Sequence, residues 1–142
     1  MASTSEIVSH ARRRLEFLES EFGARPEADD PDTPSVLAWV TEPNSFELEL
    51  DWREQAAFLL IARTQCGRRP DGYYLHDGRR IRIHLAEVLG DPPELRAAVR
   101  RSGPEAMREQ IDKYASLLEQ ALRSDDPRLK SAFRGGSAEA AG

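Results

Sequence analysis

The chain predicts an α+β domain. An antiparallel sheet of four or five strands, about residues 35–85, is packed by an N-terminal helix and two C-terminal helices. Three observations predict it. Apolar residues recur at helical spacing near both ends, from Ile7 to Phe22 and from Met107 to Leu122. Between them the pattern changes to alternation, as in residues 45–50, where Phe46, Leu48 and Leu50 alternate with Glu47 and Glu49. Finally, Asp77-Gly78 separates two strand-like runs, and Asp-Gly suits a type I′ hairpin turn because both central residues need positive φ.

Residues 4–22 read as the first helix. Ser3 and Glu6 have capping-box spacing, Ile7, Ala11, Leu15, Leu18 and Phe22 form the stripe, and Gly23 is the stop. Residues 23–34 are acidic and proline-rich and predict an exposed loop. Residues 35–41 and 45–50 predict strands joined by a turn at Glu42-Pro43-Asn44, with Glu47 and Glu49 on the polar side.

Residues 52–65 are ambiguous. Asp51 and Glu54 could cap a helix, but the apolar block 56–62 surrounds a helical wheel without leaving a polar stripe. A strand buried on both faces fits better. A loop follows at 67–72, then the hairpin 73–76 and 79–85. Asp91-Pro92-Pro93-Glu94 starts a helix to about Arg101, and Ser102-Gly103-Pro104-Glu105 starts another. Asp125-Asp126-Pro127 ends it, giving one domain at 1–125 and a tail at 126–142 expected to be disordered. The expected core includes Leu15, Leu18, Phe22, Val36, Phe46, Leu48, Phe58, Leu60, Ile81, Ile83, Ile111 and Leu118.

With 142 residues the chain can bury a core without disulfides, and its single cysteine forms no internal one. The N-terminus lacks the apolar segment of a signal peptide and no window is long enough to span a bilayer, so a cytoplasmic location away from membranes is expected. The net charge of −5 argues against a general nucleic-acid coat. Locally, residues 63–84 hold six arginines (63, 68, 69, 79, 80, 82) against Asp71 and Asp77, a balance of +4.

The hairpin register locates the candidate site. A two-residue turn pairs His76 with Arg79, Leu75 with Arg80, Tyr74 with Ile81 and Tyr73 with Arg82. One face then carries Ile81, Ile83 and Leu85 toward the core. The other carries Tyr73, Arg80, Arg82 and His84, with Arg68 and Arg69 nearby in the loop. This is a basic, aromatic surface on which Arg can grip carboxylate or phosphate. The plainer reading is a solvated sheet face with Arg stems lying over Tyr73.

The same register puts His76 and His84 on opposite faces, which argues against a metal site, and no zinc spacing occurs. No phosphate-loop glycine pattern or cofactor motif is present, so neither cofactor nor metal is expected. The sequence therefore points to a non-enzymatic binding protein acting through protein–protein contact, as an inhibitor, immunity-type protein, chaperone or regulator. Binding of an anionic ligand or nucleic acid through the basic hairpin face is a second reading. An enzyme using Cys66, or a Tyr/His/Arg pocket, is a third.

Overall fold

The computed structural model describes residues 3–72, 75–76 and 79–133. It is an α+β fold whose elements run α1 (Thr4–Arg14), α2 (Phe17–Ser20), β1 (Arg25–Ala28), β2 (Val36–Val40), β3 (Asn44–Asp51), β4 (Ala56–Arg63), β5 (Leu75–His76), β6 (Arg79–Arg80), β7 (Arg82–His84), α3 (Leu85–Val88), α4 (Pro93–Val99), α5 (Pro104–Arg123) and α6 (Pro127–Lys130). Five strands form an antiparallel sheet in the order β1-β2-β3-β4-β7, and β5 and β6 pair separately.

Helix α1 starts where the capping box predicts: Ser3 Oγ accepts from the Glu6 N–H, and the Glu6 carboxylate accepts from the Ser3 N–H. The helix breaks at Leu15 rather than running to residue 22. The break rotates the stripe, and Phe22 falls beyond α2, 37% exposed, with its edge against Phe17. It is not the core residue its spacing suggested.

Residues 25–28 are also not a loop. They form the edge strand β1. The Asp29 N–H donates to Val36 O, so by the two-residue period Glu27 and Arg25 also point their N–H groups at β2 while Pro26 points outward. Pro26 therefore costs no ladder bond and blunts an open edge. Asp29 Oδ1 accepts the N–H groups of Ser35 and Val36, closing the acidic connector onto β2.

Strand β4 settles the ambiguous segment: Ala57, Leu59, Leu60, Ile61 and Ala62 are all buried, on both faces. The Asp51 carboxylate does accept the Glu54 N–H at 3.0 Å, but in a tight turn with Gln55 at φ 52°, not at a helix start. The short helix α3, directly after β7, has no counterpart in the sequence reading.

The helices cover one face. Leu37 and Trp39 of β2, Phe46, Leu48 and Leu50 of β3, Ala57, Leu59 and Ile61 of β4 and Ile83 of β7 meet Ile7, Leu15, Leu18, Leu95, Met107, Ile111 and Leu118 in one core. Val36 and Phe58, expected in this core, are only partly buried, and both belong to the opposite face.

One buried polar side chain ties the helices to the sheet. Gln110 Oε1 accepts the Ala57 N–H at 2.8 Å, while its Nε2 donates to Ala98 O and Arg101 O, each at 3.0 Å. At the surface Asp112 of α5 joins α1 through His10 and Arg14, at 2.7 and 2.9 Å. Residues 127–133, expected in a disordered tail, instead continue the domain: Asp126 caps α6, and Leu129 and Phe133 are buried. No helix among the described residues is long and apolar enough to cross a membrane.

Candidate functional site

The sheet face turned away from the helices holds the candidate residues. Strand alternation puts Ala38, Ser45, Glu47, Phe58, Leu60, Arg82 and His84 on it, with Glu47 opposite Leu60 and Leu60 opposite His84. This face is not an open surface near its centre. The segment after β4 crosses back over it: Arg25 donates to Gly67 O on the β1 side, Arg69 reaches Glu47, and Arg82 donates to Pro70 O.

A tight turn starts the crossing. Gln65 and Arg68 exchange both backbone hydrogen bonds, at 2.8 and 3.0 Å, with Cys66 at φ 53° and Gly67 at φ 72° between them. Both central residues are left-handed, as a type I′ turn requires. A side chain other than Gly is strained at φ 72°, so Gly67 is required by the turn. Cys66 occupies its exposed tip. No histidine or carboxylate hydrogen-bonds its thiol among the described residues.

Arg82 overturns the expectation of a basic surface. It is 4% exposed, and Glu47, expected on a polar side, is 2% exposed. Arg82 grips the Glu47 carboxylate with two nitrogens, Nε to Oε1 at 2.6 Å and Nη2 to Oε2 at 3.2 Å. Arg69 adds a third bond, Nε to Oε2 at 2.8 Å. Arg82 also donates to Gly72 O and Pro70 O, so one guanidinium fastens the crossing segment to the sheet. Burial opposes the charge on Glu47 and is the largest single influence on it. The hydrogen bonds from Arg82 and Arg69 and their positive charges together outweigh it and hold the carboxyl below its ordinary range.

The other candidates divide. Arg80 pairs with Glu87 at 2.7 Å on the surface, and Arg68 is exposed. His84 meets Phe58 edge to face, ring centroids 6.1 Å apart. The register pairs Leu75 with Arg80 and His76 with Arg79, as expected. Tyr73, Tyr74 and the Asp77-Gly78 turn lie outside the described residues. The structure thus gathers Arg69 and Arg82 at Glu47, and brings His84 and the Arg80 partner Glu87 to a separate cavity beside α3 and α4. It does not gather all of them into one site.

Glu47 is the residue that sequence reading missed. Its alternation with apolar neighbours says polar face, and only the local excess of arginines hinted that a buried counter-charge was needed. A larger groove of about 710 Å³ opens between α1, α2 and the β1–β2 edge. There Glu19 accepts the Trp39 indole N–H at 3.1 Å.

No protein-family model, curated protein or solved structure matches the chain.

Proposed function

We propose that the chain is a non-enzymatic binding protein that acts through protein–protein contact in the cytoplasm, presenting the crossing segment 64–72 and the adjoining hairpin to its partner. The observation that carries this reading is the Glu47 cluster. It fixes the crossing segment before any partner arrives, which lowers the ordering cost of binding. The exposed Cys66 thiol suits a reducing compartment.

The cluster also favours a protein partner over a polyanion. Arg69 and Arg82 pair with Glu47 and Arg80 with Glu87, and adding these two carboxylates to the sequence count lowers the local balance from +4 to +2. A mixed surface of that kind matches the charge pattern of a protein face better than a phosphate backbone.

The test is affinity capture with the full chain and with Arg68→Glu/Arg79→Glu, with nuclease treatment and a salt series. One protein held by the wild type, insensitive to nuclease and lost from the variant, is expected. Co-eluting nucleic acid, with binding that collapses between about 50 and 200 mM salt, would replace this reading by the anionic one.

A further inference from the structure

At the β7 edge of the sheet, β4 and β7 meet the α3–α4 connection and α5 around a cavity of about 460 Å³. Phe58 and His84 form one wall, with rings nearly perpendicular at 82°. Leu95 of α4 and Tyr114 of α5 also line it. Glu87, Asp91 and Arg96 add a charged rim, two acids and one base, and Glu87 is already paired with Arg80. The size is that of a small-molecule site, with apolar and aromatic surface from Phe58, Ala86, Pro92 and Leu95 and polar groups from His84, Tyr114 and the charged rim.

Tyr114 is the unusual component. It is 2% exposed, yet its phenol makes no hydrogen bond among the described residues. A buried phenol ordinarily finds a partner. Its burial pushes the pKa up to about 12, so the group is a neutral hydroxyl at physiological pH, able to donate and to accept. The residue lines this cavity.

We infer that this cavity is a binding site for a compact, ring-containing and mostly apolar molecule with one hydrogen-bonding group, which Tyr114 receives while Phe58, His84 and Leu95 enclose the ring. The ring meets aromatic edges and faces on one side and an aliphatic wall on the other. With Glu87 neutralised by Arg80, Asp91 and Arg96 leave one charge of each sign, which admits a neutral or zwitterionic molecule and selects against one of high net charge. The site uses no residue of the crossing segment 64–72, and it adjoins the β5–β6 hairpin through Glu87, the partner of Arg80.

The test is an NMR titration of the full chain with p-cresol, indole and toluene, reading the Leu95 methyl and Phe58 ring signals. Saturable shifts centred on those residues are expected. Tyr114→Phe is expected to weaken p-cresol by about 2- to 10-fold, the worth of one hydrogen bond, and to leave toluene unchanged. The thermal midpoint of Tyr114→Phe is expected to equal or exceed that of the wild type, because an unpartnered hydroxyl is removed. Three results would each overturn the inference. One is no saturable binding of p-cresol or indole up to their solubility, as for a cavity holding water alone. The second is equal p-cresol affinity in the variant. The third is a lower midpoint in the variant, which shows that the phenol is already bonded within the protein.

Discussion

The two faces of the sheet are held by different chemistry. The helix face is an apolar core with one neutral polar anchor, Gln110, which satisfies three backbone groups on β4 and at the end of α4. The opposite face is held at its centre by a charged anchor, Glu47, gripped by Arg82 and Arg69. A neutral anchor is cheap to bury once its hydrogen bonds are made. A charged one is costly, and an apolar replacement often stabilises a fold as well. The difference suggests that the charged anchor serves placement of the crossing segment more than stability, which is why that face carries the functional proposal.

Removing one partner of each anchor sharpens the contrast. Arg82→Ala leaves Glu47 buried with only Arg69, and is expected to cost about 3–5 kcal/mol by chemical denaturation. Replacing both ends with Glu47→Leu/Arg82→Met should recover at least half of that loss. Failure to recover would mean that the pair itself stabilises the fold.

Gln110→Ala strands the Ala57 N–H and the Arg101 carbonyl, while Ala98 O keeps its backbone donors, and a loss of about 2 kcal/mol is expected by the same measurement. A loss as large as that of Arg82→Ala would remove the distinction between the faces.

Acid separates them further. The Glu47 carboxyl lies below its ordinary value of 4.5 in the fold, so its contribution is complete above that value and is lost as pH falls through the lowered native one. Thermal melts from pH 6 downward should therefore show an acid-side decline that flattens in Glu47→Gln and persists in Gln110→Ala. The smallest effect belongs to Arg80→Ala. Its ion pair with Glu87 is well exposed, and a change of about 0.5 kcal/mol or less is expected.

The helix face was the more legible in the sequence, because burial on one side writes itself as periodicity. Phe46, Leu48, Ile111 and Leu118 sit where their spacing placed them. Spacing failed where the chain changes direction: Phe22 was read through a helix break, and β1 was hidden in a proline-rich acidic stretch. Residues 127–133 looked like tail because two buried side chains, Leu129 and Phe133, are too few to make a pattern.

The opposite face was legible in composition but not in depth. The Arg-rich stretch and the β5–β6 register are written in the sequence, but charge alone does not say which side chains meet solvent. Whether Arg82 faces water depends on a carboxylate 35 positions away and on a segment that folds back over both, and neither relation is local. The cavity beside α3 was invisible for the same reason, since Phe58, His84, Leu95 and Tyr114 come from four elements.

The most direct test of the charged anchor is the NMR signal of the Arg82 side-chain Nε–H. Buried and bonded to Glu47 Oε1 at 2.6 Å, it is expected to give a sharp, slowly exchanging resonance. The signal should survive at about 1 M salt, which screens only solvent-exposed pairs, and disappear in Glu47→Gln. A resonance that exchanges with water as fast as that of Arg68, or that weakens with salt, would contradict the account and return Arg82 to an open binding surface.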